Sequence, residues 1–125
     1  MPATEIRTCL HCGFETRTDC PDFRDPVERI VCPKCDDALF LQSDGSTLTR
    51  DIAHQGETLD RAVEKLDVTL QSAWAGYARA VRLIVGGGRI RDEILGQLRH
   101  YQDRGYIRDF ATDSRNPGAI TVVLR

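Results

Sequence analysis

Two Cys-x-x-Cys pairs, Cys9/Cys12 and Cys32/Cys35, are the residues of this chain best suited to chemistry. Each pair sets two soft thiolates on one tight turn, and two such turns can close a tetrahedron around one Zn²⁺. The 19 residues from 13 to 31 that separate the pairs match the spacing of a ribbon-type site. Gly13 lets the first turn adopt a positive φ, and Pro33 fixes φ inside the second. Two disulfides are the alternative, but a fifth cysteine, Cys20, and the lack of a secretory leader argue against them. A redox dithiol fits less well, because such motifs come singly within a βαβ pattern. A closed four-cysteine site keeps no coordination position open. One structural zinc is therefore expected, and it organises the N-terminal part without catalysing anything. Cys20 reads as a spare thiol and His11 as a solvated turn residue.

A second cluster could handle phosphate. Gly86, Gly87 and Gly88 follow an apolar run, with Arg79 and Arg82 before them and Arg89 and Arg91 after. Glycines let a backbone approach a phosphate closely, and a helix N-terminus offers free N–H groups and positive potential. The trio is neither a Walker loop nor a dinucleotide fingerprint, since the residues those motifs need are missing. On its own it also suits a plain strand-to-helix turn.

The elements that would position these clusters can be read from periodicity. Residues 7–41 read as short strands around the thiol turns, with Arg29–Cys32 leading into the second turn and Ala38–Leu41 leading out. Ser43–Ser46 is a turn-rich linker. Thr47–Ile52 alternates as a strand, with Leu48 and Ile52 on one face. Thr58 is placed to cap a helix whose stripe is Leu59, Ala62, Val63, Leu66, Leu70, Ala73 and Trp74, and Gly76 suits its end. Ala80–Val85 reads as a buried strand. A second helix is expected from about Asp92 to Asp103, with Gly105 just past its end. Strands at Tyr106–Phe110 and Ala119–Leu124 flank a turn at Asn116–Gly118. The fold class is α/β: a small β zinc ribbon over 1–45, then a β-α-β-α-β-β sandwich of mixed pairing over 46–125.

Charge separates the two parts. Residues 1–45 carry five basic and nine acidic residues, net −4, and residues 46–125 carry twelve basic and ten acidic, net +2. Nearly all the basic residues are Arg, whose planar fork suits phosphate. No run of eighteen apolar residues occurs, which excludes a helical membrane span. Reduced thiols without an export signal point to the cytoplasm.

Three blocks in the second part resemble one family. They are Asp51-Ile-Ala-His-Gln-Gly56 followed by Ala62, Leu83-Ile-Val-Gly-Gly-Gly88, and Gly118-Ala-Ile-Thr-Val-Val-Leu124. In this order, residues 47–125 resemble an Smr (small MutS-related) domain. The resemblance implies a fold like the C-terminal domain of a bacterial translation initiation factor. It also implies binding of RNA or DNA, often with endonuclease activity. The chain departs from the pattern in polar positions. Aligned without gaps on Gly56 and Ala62, the family's Asp falls on Ala53 and its His on Gln55. Val85 stands where the glycine loop usually has His, and Gly87 where it has Lys. Asp51 and His54 remain as candidate acid and base, on a changed spacing that would turn His54 away if the strand continued. His100 reads as solvated. The expectation is a protein that binds phosphate backbone through Gly86, Gly87, Gly88, Arg89 and Arg91, with degenerate catalytic motifs. Two alternatives stay open. One is an endonuclease using Asp51 and His54. The other is an adaptor whose acidic ribbon docks on a basic partner, such as a ribosomal or nucleic-acid-processing protein.

Overall fold

The computed structural model describes residues 4–125. β1 (Thr4–Thr8) and β2 (Glu15–Asp19) form an antiparallel hairpin around the first thiol turn. The second thiol turn is held by a single bridge, Val31 to Ala38, and is followed by a 3₁₀ turn at Leu39–Leu41. The expected strand over Ala38–Leu41 is therefore corrected. Leu39 and Phe40 turn inward as buried anchors instead of extending along a sheet.

The second part is a four-stranded sheet. β3 (Thr47–Asp51) pairs parallel to β4 (Ala80–Ile84), and β6 (Ala119–Val123) lies antiparallel between β4 and β5 (Asp109–Thr112). α1 (Leu59–Ala75) links β3 to β4, and α2 (Arg89–Asp103) links β4 to β5. Both helices cover one face of the sheet. Val81, Leu83, Ile120 and Val122 point under them and are buried, whereas Arg82, Ile84, Thr121 and Val123 alternate onto the less covered face. The order and mixed pairing are those expected from sequence.

Local signals explain most of the boundaries. The Thr58 side chain accepts a hydrogen bond from the Arg61 N–H and caps α1, and Gly76 ends it. Two boundaries differ from expectation. α2 begins at Arg89 rather than near Asp92, because Gly88 serves as its N-cap directly after the glycine turn. β5 begins at Asp109 rather than at Tyr106. Gly105, at φ 78°, turns the chain so that the Tyr106 N–H bonds back to the Tyr101 carbonyl, outside the sheet. Leu48 is also 37% exposed, because β3 is an edge strand with all five residues at the surface, whereas Ile52 is fully buried.

The two parts share one core. Phe23, Val27, Leu39 and Phe40 from the first join Leu66, Leu70, Trp74, Tyr101 and Leu124 from the second in a single apolar cluster. Phe40 stacks on Trp74, and Phe23 meets Tyr101 edge-on. Two arginines tie the parts together at the end of α1. Arg7 donates to the carbonyls of Leu39, Ala75 and Gly76 and lies 4.1 Å from the centres of both the Phe40 and the Tyr77 rings. Arg125 donates to Phe40, Ala73, Trp74, Gly76 and Ala78. The segment at 43–46 is itself bonded, with Asp44 N–H on the Tyr77 carbonyl and Arg79 N–H on that of Ser46.

Leu66 lies fully buried under this shared core. Leu66→Ala is expected to cost about 2–5 kcal/mol, read as a shift in the urea midpoint with unchanged slope. Because the core is continuous, fluorescence of Trp74 and far-ultraviolet dichroism should report the same transition.

Candidate functional site

The thiol turns are built alike. In the first, Cys9 N–H bonds to Phe14 O and Gly13 N–H to Cys9 O; in the second, Cys32 N–H bonds to Asp37 O and Asp36 N–H to Cys32 O. The residue after each second thiol has positive φ, Gly13 at 79° and Asp36 at 64°. Asp tolerates that region better than most side chains. The four sulfurs all lie within 4.8 Å of one another, with Cys9–Cys35 and Cys12–Cys32 each at 3.6 Å. A tetrahedral ion with arms of about 2.3 Å would space its sulfurs by about 3.8 Å, so the four thiols can hold one metal ion.

Sequence reading missed one partner of this cluster. Gln42 is buried, and its Nε2 donates to Cys9 Sγ at 3.2 Å and to Asp37 Oδ2 at 2.6 Å, while its Oε1 accepts the Leu10 N–H. That amide bond is the main cause pulling the Cys9 thiol down to about 6, toward the thiolate a metal needs. Gln42 lies seven residues beyond the last cysteine, and no spacing rule marks it.

The second cluster forms where β3 and β4 end side by side. Asp51 closes β3, and the chain then bends through Ala53, His54 and Gln55. Because the strand has ended, the pleat no longer dictates direction, and His54 folds back onto Asp51. Its Nδ1 lies 2.7 Å from Asp51 Oδ2, while Asp51 Oδ1 accepts the N–H groups of Ala53 and His54. Burial acts to raise the Asp51 carboxyl, but these N–H donors and the imidazole outweigh it and hold the group below its ordinary value. With Nδ1 engaged, Nε2 is turned to the glycine loop. A Cβ on Gly86 would come within 3.4 Å of it.

The glycines differ in what they do. Gly86 has φ 68°, and its N–H and that of Val85 both donate to the Gly118 carbonyl. A Cβ on Gly118 would lie 3.4 Å from Gly86 Cα, so the two turns meet backbone to backbone. Cβ atoms on Gly87 or Gly88 would meet nothing. The fold does not require those two to be glycine. Arg89 is exposed at the first residue of α2. Arg91 is partly buried and holds the neighbouring turn, donating to Pro117 O at 3.0 Å and Thr112 Oγ1 at 3.4 Å. The Asn116–Gly118 turn is thus a third wall of the site, which the sequence marked only as a turn. Arg82 pairs loosely with Asp113 at 3.5 Å, and His100 is exposed on α2. Asp51, His54, Gly86, Gly87, Gly88 and Arg89 therefore share one end of the sheet. The thiol cluster belongs to the other end, where α1 terminates.

Glu57 secures the segment that carries His54. Its carboxylate takes Lys65 Nζ at 2.6 Å and the Gln55 N–H at 2.8 Å, and these bonds, Lys65 first, pull it from 4.5 down to about 2. A depressed carboxylate stabilises the fold above its ordinary value and loses that contribution as pH falls through the depressed one. Stability should therefore fall between about pH 4.5 and pH 2, and Glu57→Gln should flatten that part of an acid titration followed by dichroism.

No protein-family model matches the chain, and no curated protein matches it. Among solved structures, the chain is similar to the Smr domain of Thermus thermophilus MutS2, with 26% identity and a TM-score of 0.54. The match covers 62% of this chain and 98% of that domain.

Proposed function

We propose that this chain, an Smr domain joined to a four-cysteine module, binds nucleic acid at the glycine loop and uses Asp51 and His54 to move a proton there. The observation that carries the reading is His54 Nε2 facing Gly86, with Nδ1 held by Asp51. A carboxylate on Nδ1 fixes the tautomer and leaves Nε2 to take or give a proton. The backbone of Gly87 and Gly88 is open to an approaching phosphate, the N-terminus of α2 offers orphan N–H groups, and Arg89 adds charge. Cleavage of a phosphodiester needs these two functions, a positioned base and a charge clamp. Arg91 supports the clamp by fixing the 116–118 turn.

The test separates folding from binding. Gly87→Ala should leave the thermal midpoint unchanged, because its Cβ meets open space, yet weaken binding of a labelled oligonucleotide. Arg89→Glu should lower affinity and reduce the salt slope by about one unit for the lost phosphate contact. His54→Ala should abolish any cleavage while leaving binding within a few-fold. Binding indifferent to salt and to Arg89 would overturn the site. Cleavage that survives His54→Ala would overturn the role given to the imidazole.

We also infer that the ion held by Cys9, Cys12, Cys32 and Cys35 is one structural Zn²⁺, since a closed set of four thiolates is the ligand set this ion favours. Elemental analysis should give one zinc per chain. Chelation should lower the midpoint of the whole chain in a single transition, because the thiol turns rest on the same core as α1. Two separate transitions would contradict that coupling.

A further inference from the structure

We propose that the outer end of the thiol-turn module is a docking surface for a basic protein segment carrying an apolar anchor. Three apolar side chains next to the thiol turns are left at the surface: Leu10 at 46%, Phe14 at 40% and Val31 at 39% exposure. Leu10 follows Cys9, the Phe14 carbonyl accepts the Cys9 N–H, and Val31 precedes Cys32. Because the four sulfurs converge within 4.8 Å, these side chains are gathered around one cluster. None of them belongs to the core, to which the inner side of the module contributes Leu39 and Phe40 instead. Grouped exposed apolar side chains on a small module mark an interaction surface better than scattered ones do.

Charge selects the partner. Residues 1–45 carry net −4, and two of their five basic residues are spent within the fold. Arg7 is buried on the end of α1, and Arg24 is paired with Asp22 and Asp67. Glu15 and Asp36, beside the two thiol turns, are exposed. An acidic surface with apolar anchors repels a phosphate backbone and complements a basic peptide. The surface lies away from the glycine loop, because the module attaches where α1 ends and the loop sits beyond the far end of β4. A protein and a nucleic acid could therefore be held together on one chain.

The probe is a short labelled lysine-rich peptide with leucines along one helical face, set against a control of equal charge with serine in their place. The full chain should bind the leucine peptide about tenfold tighter than the control. Leu10→Ser with Phe14→Ser should remove that preference, with metal content and dichroism unchanged. If that pair loses the metal, Val31→Ser and the reversals Glu15→Lys and Asp36→Lys carry the same test from side chains outside the core. Equal binding of the two peptides by the wild-type chain would overturn the proposal, as would a preference that survives the substitutions. Loss of oligonucleotide binding in the same variants, with the peptide unaffected, would assign the surface to nucleic acid instead.

Discussion

The end of α1 sets the arrangement of everything else. A helix terminus leaves its last carbonyls without partners, and burying them bare is costly. Here the carbonyls of Ala73, Trp74, Ala75 and Gly76 all receive guanidinium donors, from Arg7 on one side and Arg125 on the other. Two cations at the negative end of the helix dipole are favourably placed, and the forked donor set of Arg reaches several carbonyls at once. The arrangement has a cost: burial, with repulsion from Arg7, brings Arg125 down to about 10, which still leaves it charged at neutral pH. Rings of Phe40 and Tyr77 enclose Arg7, so its desolvation is offset by cation–π contact as well as by hydrogen bonds.

Arg7 lies only two residues before Cys9, and that spacing links the metal centre to the α/β layer. The Thr8 N–H and carbonyl both bond to the Tyr77 hydroxyl, and Leu10 N–H bonds to Gln42, which in turn bonds to Cys9. Every residue from Arg7 to Leu10 is therefore fixed either to the second part or to the thiol cluster. The phosphate-facing end is built differently. It relies on short turns, two touching glycine backbones and one carboxylate–imidazole bond, with little burial.

Local signals in the sequence carried the thiol spacing, the Thr58 cap, the α1 stripe and the order of strands. Each depends on residues close together in the chain, so periodicity and turn chemistry expose it. Arg7 and Arg125 were not legible as buried staples, because their acceptors are carbonyls 49 to 85 residues away and carbonyls leave no mark in a sequence. His54 was legible as a candidate, but its direction was not. A pleat argument holds only while a strand lasts, and β3 stops at Asp51. The 3₁₀ turn at Leu39–Leu41 escaped for a similar reason. Its apolar residues suit a strand, and only the need to bury Leu39 and Phe40 against α1 makes them turn.

The staple by Arg7 also bears on how the chain reaches its native state. Its bond to Ala75 spans 68 residues, whereas the contact between Cys9 and Cys35 spans 26. Closing the longer loop costs about 0.9 kcal/mol more in chain entropy than closing the shorter one. The carbonyls that Arg7 grips also exist as a set only once α1 has formed its last turn. Capture of the ion by the four thiols and growth of α1 are then early, short-range events, and the locking of one part onto the other is the late one. The slow coordinate in folding is thus the docking of two largely formed pieces rather than the formation of either.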